Sequence, residues 1–420
     1  MAVETPPPQD VPLAAGGVDS EVGVLRRVLI HRPGLELARL TPRNKEALLF
    51  DEVPWLERAQ EEHDAFTGVL ASRGVELLDL GDLLVDVLTL DAVRARLIDA
   101  AVDVSRLERA VSAPLVEWLG AAEPRALADA LLGGVTVGEL PFAPRSLLGQ
   151  LAERTEFVIP PLPNHLFTRD SSAWIGGRAL VSEMALPARR REVAHVDAVY
   201  RHHPRFRHGP APFSVPAPLE GGDVLVLAPG RVLVGVGERT SPAAVERLAL
   251  ELTEREAGAE VLVAAIPAQR ATMHLDTVLT MVDRDAFTVY PEVAETTSLF
   301  RVRRTGDRLR IDSAGDLRGA LAAALDLPDV RLVPTGGDPH RRDREQWDDA
   351  NNVLAVAPGV VVSYDRNVAT NQRLAEAGVE VLTVPGSELG RGRGGARCLS
   401  CPLERAPLSK ISEVPLKERP

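Results

Sequence analysis

Apolar and polar positions fall in short blocks along this chain, and the period of the blocks switches between two and about 3.6. Val22–His31 reads as a strand that stops at Arg32-Pro33-Gly34. Trp55–Ser72 carries Leu56, Ala59, His63, Phe66 and Leu70 at helical spacing, and Gly74 ends that helix. Val75–Leu80 is a strand again. Hairpins are predicted at Ser171–Met184 around Gly176-Gly177, at Asp223–Gly235 around Pro229-Gly230, at Thr277–Tyr290 around Asp283–Asp285, and at Asn352–Tyr364 around Pro358-Gly359. Helices follow near Arg189–Tyr200, Pro242–Glu256, Leu317–Leu325 and Asn371–Glu376. The last three lead into strands at Glu260–Ile266, Asp329–Pro334 and Val379–Val384.

With the N-terminal block this order recurs five times. Repeated units of two strands, a helix and a further strand predict an α/β fold closed as a ring around an axis, which buries most strand edges. An open doubly wound sheet is the competing arrangement. The hairpins argue against it, because parallel strands need crossovers.

Residues 83–138 break the pattern. They predict helices at Asp91–Ala101, Ser105–Val111, Pro114–Ala121 and Arg125–Leu132, with Asp91 and Ser105 as N-caps and Pro114 as a first helical residue. The segment reads as a helical insertion packed on the ring, with an independent partner-binding bundle as the alternative. The body then comprises residues 19–82 and 139–420, and residues 1–18 form a flexible tail.

Composition narrows the function classes. A 420-residue chain with 45% hydrophobic and 26% charged residues has the make-up of a globular protein with a large core. A net charge of −12 disfavours nucleic acid and suits a cationic small substrate. Two cysteines give no disulfide framework and point to a reducing compartment. No apolar run is long enough to span a membrane, and the first residues lack the build of a signal peptide, so a cytoplasmic location is expected.

Both cysteines lie on one loop. Gly390-Arg391-Gly392-Arg393-Gly394-Gly395 places four glycines in six positions before Ala396-Arg397-Cys398-Leu399-Ser400-Cys401. Those glycines would let the backbone take positive φ almost anywhere. A thiol among three arginines would have its thiolate favoured, as a nucleophile requires. The spacing leaves a redox pair or two unreactive thiols open, while a four-thiol zinc site is impossible with two cysteines. Three of the repeated units carry acids just before the hairpin: Thr168-Arg169-Asp170, Glu220-Gly221-Gly222-Asp223 and His274-Leu275-Asp276. Rotation about a common axis would gather Cys398, His274 and the carboxylates at 170, 220 and 276 into one pocket. Read as a strand, His274 and Asp276 would share a face. Carboxylates so crowded call for a cation, and a planar guanidinium with forked donors fits two of them. A thiolate could attack its carbon while a histidine serves as acid and then base.

The chain resembles the arginine deiminase family of the guanidino-group-modifying superfamily from end to end. The resemblance rests on Glu21–Gly34, Leu48–Asp51, Pro163–Asp170, Glu220–Asp223, Gly237–Thr240, Met273–Thr277 and the Arg393–Pro402 loop, in that order. It implies a five-bladed pseudo-symmetric α/β propeller of ββαβ units with an inserted helical domain. It also implies hydrolysis of L-arginine to L-citrulline and ammonia through a covalent amidino-cysteine intermediate. By motif, Cys398 is implied as nucleophile, His274 as general acid and base, Asp170 and Asp276 as the guanidinium-gripping carboxylates, and Glu220 as the partner of His274. Arg189, Arg239 and Asn164 are implied at the substrate carboxylate, Phe167 on its alkyl stem, and Gly392 and Arg393 in a mobile gate. No metal or organic cofactor is implied, the small-molecule partner is L-arginine, and a homo-oligomer is expected.

Two other readings remain at this point. One is a related enzyme acting on agmatine or a methylated arginine, or passing the intermediate to an amine as an amidinotransferase. The other is a non-catalytic guanidine-binding protein on the same fold. The remaining histidines, including His202, His203 and His208, are expected at the surface. Trp55, Trp118, Trp174 and Trp347 are expected to pack in or beside the core. Cys401 is expected to take no part in catalysis, although its thiol could pair oxidatively with Cys398.

Overall fold

The computed structural model describes residues 17–102, 109–143, 147 and 151–408. The helix over 105–111 and the cap at Ser105 lie largely outside the described residues, as do residues 1–16 of the expected tail. Gly17 and Val18 are bridged to Arg405 and Gly176, so they belong to the body.

The strands in chain order are β1 (Leu25–Ile30), β2 (Glu76–Asp79), β3 (Val135–Thr136), β4 (Phe157–Ile159), β5 (Ser172–Ile175) and β6 (Arg178–Val181). They continue with β7 (Val224–Ala228), β8 (Arg231–Val236), β9 (Glu260–Ala265), β10 (Leu279–Asp283), β11 (Ala286–Val289) and β12 (Ser298–Thr305). The last are β13 (Arg308–Ser313), β14 (Arg331–Pro334), β15 (Leu354–Ala357), β16 (Val360–Tyr364), β17 (Glu380–Val384) and β18 (Cys401–Arg405). An antiparallel hairpin followed by a parallel third strand recurs as β7-β8-β9, β10-β11-β14 and β15-β16-β17. In β5-β6 the third place is taken by the single residue Phe213, bridged parallel to Leu180. The N-terminal unit finds its missing strand at the other end of the chain. Strand β18 pairs antiparallel with β1, and β2 pairs parallel with it. Turn chemistry makes the hairpins local, and Gly176, Gly230 and Gly359 all take positive φ at the predicted turns.

Neighbouring units touch in series. Cys401 meets the Ser172 carbonyl, Glu183 N donates to Leu219 O at 3.0 Å, and Leu275 N donates to Asp223 Oδ1 at 2.8 Å. Thr280 Oγ1 donates to Asn351 O, and Arg405 Nη1 to Ala355 O, each at 2.8 Å. The last contact returns to the N-terminal unit.

Several expectations change. A hairpin absent from the sequence reading, β12–β13, turns at Gly306 and extends the β7-β8-β9 sheet along β9. A further helix at Pro339–Trp347 also lay outside that reading. His274-Leu275-Asp276 is no strand, since Leu275–Thr277 forms a 3₁₀ turn with His274 extended before it. Asp91 opens its helix as first residue, with Leu90 at the cap position. The helix Arg109–Ala121 runs through Pro114 instead of starting there. It tolerates the lost N–H because Val111, Leu115 and Leu119 form one buried stripe.

The helices Leu80–Val87, Asp91–Ala101, Arg109–Ala121 and Pro124–Gly133 share one apolar cluster with Leu29, Trp174, Val181, Cys401 and Leu403. They therefore pack on the body through a common core. Among the described residues no helix is long and apolar enough to cross a membrane.

Candidate active site

Short turns placed just before the hairpins position most of the site. Thr168–Ser171 is a single helical turn ahead of β5, Gly221–Asp223 a 3₁₀ turn ahead of β7, and Leu275–Thr277 a 3₁₀ turn ahead of β10. Each turn fixes its acid where side chains from adjacent units converge. Gly222 has no room for a side chain, because a Cβ there would lie 2.8 Å from both Asp170 Oδ1 and His274 Cγ. The fourth contribution comes before β15, from Asp349 and Asn352. The fifth comes from the loop that ends at Cys398.

His274 is buried between two carboxylates. Its Nε2 is 2.8 Å from Glu220 Oε2, and its Nδ1 is 3.7 Å from Asp170 Oδ1. Burial alone would discharge the imidazole, but Asp170 and Glu220 carry its pKa up to about 9. It is an imidazolium at neutral pH, with Nδ1 too far from Asp170 for a good hydrogen bond.

Each of the two aspartates expected to grip a guanidinium already holds a resident arginine by one oxygen. Arg189 Nη1 donates to Asp170 Oδ2 and Arg397 Nη1 to Asp276 Oδ2, both at 2.6 Å. The other oxygen of each, Oδ1, is buried and has no hydrogen-bond partner. Arg189 is held further by Glu192 and by the Asn164 carbonyl, and Arg397 by Glu21 and the Val224 carbonyl. Arg189 thus spends its donors on protein groups. Arg239 is different. Its Nε binds Glu238, it stands 3.6 Å from Glu220, and its buried Nη1 lacks a hydrogen-bond partner.

Cys398 is buried. Its Sγ receives an N–H from Asn352 Nδ2 at 3.0 Å and lies 3.7 Å from Asp276 Oδ2. Burial, then Asp276, Asp170 and Asp349, push the thiol well above its ordinary pKa, opposed by Arg397. This corrects the expectation that the loop arginines favour a thiolate. Arg391 pairs with Glu388, Arg393 lies over Trp347 at 3.7 Å from the ring centroid, and Arg397 is committed to Asp276 and Glu21. The loop glycines are used differently from the sequence reading too. None of the four takes positive φ, and the left-handed residue is Arg393 itself, at φ 64°. The glycines serve close approach, as where a Cβ on Gly395 would lie 2.5 Å from the Asn352 carbonyl oxygen.

The remaining expected residues are buried as well. Phe167 is buried and stacks on Phe50 with centroids 6.3 Å apart. Gly392 ends the turn Leu389–Gly392 against both rings. Asn164 Nδ2 donates to Leu48 O at 2.8 Å. Arg393 is buried with Nε and Nη1 unpartnered. Asp349, at φ 61°, is buried with neither carboxylate oxygen bonded, and burial lifts its pKa to about 7.

Sequence reasoning missed Asn352, Asp349, Arg397 and Glu192. The first two carried a usable signal, since Trp347–Asn352 occupies the same place before its hairpin as Asp170, Glu220 and Asp276 do before theirs. His208 and His340 are exposed as expected, but most of the other histidines are not. His31, His63, His165, His195 and His203 are all buried. His31 lies 3.3 Å from Glu36 and 3.9 Å from Asp79, and despite burial these acids carry its pKa up to about 10. His165 Nε2 and His195 Nδ1 share a hydrogen bond of 2.9 Å. Trp55 and Trp347, expected to pack in or beside the core, are exposed. Both cysteines are free thiols, and among the described residues no His, Cys, Asp or Glu cluster is placed to ligate a metal.

Comparison with known proteins gives a consistent picture. A family model described as arginine deiminase matches residues 46–405. The arginine deiminase of Mycolicibacterium gilvum is 52% identical over 403 residues, covering 95% of this chain and all of the relative. That of Rhodococcus opacus is 52% identical over 396 residues, covering 93% and 98%. Among solved structures, the N-terminal domain of ArgZ, a cyanobacterial arginine dihydrolase bound to substrate, superposes with a TM-score of 0.54 at 14% identity. It covers 90% of this chain and 98% of its own. DDAH from Pseudomonas aeruginosa, complexed with citrulline, gives a TM-score of 0.52 at 13% identity, covering 90% and 99%. These two share the fold.

Proposed function

The chain belongs to the arginine deiminase family, and on that premise we propose how its residues convert L-arginine to L-citrulline and ammonia. The observation that carries the assignment is the pair of buried, unpartnered oxygens, Asp170 Oδ1 and Asp276 Oδ1. Two carboxylate acceptors that each lack a donor suit one planar guanidinium with forked donors. The resident arginines fix the other oxygen of each aspartate and so aim the free one.

The substrate guanidinium offsets the negative charge that holds Cys398 as a thiol, and once the cation is in place the sulfur ionises and its proton passes to solvent. The thiolate attacks the guanidinium carbon. The His274 imidazolium gives a proton from Nδ1 to the departing amine, the carbon–nitrogen bond breaks, and ammonia leaves an amidino thioether on Cys398. His274, now neutral, takes a proton from water as that water attacks the same carbon. The carbon–sulfur bond breaks, the proton of the new hydroxyl returns to the sulfur, and citrulline leaves with Cys398 restored as a thiol. Glu220 keeps the ring oriented throughout and favours its charged form. Arg239, with its unpartnered Nη1, is the readier anchor for the substrate carboxylate. Arg189 reaches that role only by giving up part of its hold on Asp170 and Glu192. Asn164 and Phe167 line the carboxylate and the stem, and Gly392 and Arg393 belong to a gate.

We extend the reading to the architecture. Serial contacts through all five units support a closed five-bladed propeller, with the helices of 83–138 as an inserted domain on residues 19–82 and 139–420. Free thiols suit a cytoplasmic setting, and the exposed Trp55 suits self-association.

The test is a product assay with L-arginine on the wild type and Cys398→Ala. Citrulline and ammonia in equal amounts, abolished by the substitution, are expected. Turnover that survives the loss of the thiol would overturn the assignment.

A further inference from the structure

We propose that Asn352 is a positioning residue for the nucleophile. It holds the Cys398 sulfur in place and supplies the one neutral hydrogen bond that stabilises the thiolate. The proposal rests on the reading of Cys398 as nucleophile.

Asn352 grips Cys398 at two points. Its Oδ1 accepts the Cys398 backbone N–H at 3.0 Å, and its Nδ2 donates to Cys398 Sγ at 3.0 Å. The first contact decides the second. Only the amide oxygen can accept from an N–H, so the amide nitrogen must face the sulfur. Nδ2 is steadied by the Asp276 carbonyl at 3.3 Å, and the Asn352 carbonyl lies against Gly395. The side chain is 1% exposed, so water does not compete for these bonds.

The sulfur's other polar neighbours favour the thiol. Asp276 Oδ2, at 3.7 Å, can accept a proton-bearing sulfur but repels a thiolate. Arg397 carries positive charge nearby, yet its donors go to Asp276, Glu21 and the Val224 carbonyl. An amide N–H bonds weakly to a thiol and strongly to a thiolate. Asn352 therefore gains most at the step where the sulfur ionises and attacks, which is the condition for an interaction to speed a reaction. It lies behind the sulfur and makes no contact that would be expected to set substrate affinity.

The test compares Asn352→Ala and Asn352→Asp with the wild type in the pH dependence of kcat and kcat/KM for L-arginine. Asn352→Asp keeps an acceptor for the Cys398 N–H but offers no donor to the sulfur. We expect kcat to fall about 100-fold in each variant, with KM within about threefold. The ascending limb of kcat, which reports the enzyme–substrate complex in which the sulfur ionises, should move up by about one pH unit, and further for Asp than for Ala. The position of that limb does not depend on how much protein is folded, so a destabilised variant still reports. An unmoved limb in both variants would overturn the proposal and leave Asn352 a packing residue. A haloacetamidine labels the wild type in parallel. Absence of the adduct from the Cys398 peptide would instead sink the nucleophile assignment, separating the two failures.

Discussion

The two halves of the site are built alike and charged differently. On one side Asp170 holds Arg189, which is backed by Glu192. On the other Asp276 holds Arg397, which is backed by Glu21. All six side chains are buried. On the first side, burial would raise the Asp170 pKa, but His274 and Arg189 hold it below the usual range. The proton-prone group is the rear one, Glu192, which burial lifts to about 7. On the second side the order reverses. Burial raises Asp276 despite Arg397, while Glu21, desolvated but facing Arg397, Arg169 and Arg405, falls to about 2. The difference comes from the neighbours. Asp170 has an imidazolium in front of it, whereas Asp276 has a thiol and another carboxylate. The half that meets the histidine stabilises a charged aspartate, whereas the half that meets the thiol resists one.

The largest expected effect comes from removing a central arginine. Arg397→Ala leaves Asp276 and Glu21 buried without their main partner and should cost about 3–5 kcal/mol of stability. Arg189→Ala should cost less, because His274 still faces Asp170. Urea unfolding of both variants measures this, and equal losses would break the contrast. Next is Gly222→Ala. Its methyl group would press on Asp170 Oδ1 and His274 but not on the thiol half. Turnover should fall about 100-fold while the alkylation rate of Cys398 stays near wild type. A matching loss of alkylation would mean the halves are not separable.

The smallest effect is in pH dependence. Glu192 has a raised folded pKa, so its contribution is full below about pH 4.5 and is lost as pH rises through about 7. Glu21 has a lowered one, so its contribution is present above pH 4.5 and is lost as pH falls toward 2. Melting temperature against pH should flatten between 4.5 and 7 in Glu192→Gln and below 4.5 in Glu21→Gln. Identical profiles would show that the two glutamates do not differ as described.

Hairpins were legible because their information is local. Pro229-Gly230 and Pro358-Gly359 specify their turns within a few residues. The pair β12–β13 was not, since its residues are largely exposed and rich in arginine, and it gives no clean alternation of buried and exposed positions. The partner of β1 lies 380 residues away at the level of Leu25 and Arg405, which periodicity cannot reveal. Within the site, Cys398 stood out by its glycine- and arginine-rich loop, and His274, Glu220, Asp170 and Asp276 by residue type and by their place before hairpins. Arg189 and Arg397 did not declare themselves as internal partners, because a buried arginine and a ligand-binding arginine look the same in sequence. Asn352 is uncharged and was passed over, though it occupies the corresponding place in its own unit.

Strand β18 ties the order of synthesis to chemical competence. A ribosome releases residues 398–405 after every other strand among the described residues. Until then β1 presents an unpaired edge on the side β18 will occupy, and the pocket of acids has no sulfur. A nascent or prematurely terminated chain is therefore chemically silent and sticky at the same place. Chaperone engagement or proteolysis of incomplete chains should concentrate at that edge. The proposed nucleophile arrives with the segment that covers β1, so a chain that brings its thiol into the pocket is also one whose first strand has been sealed.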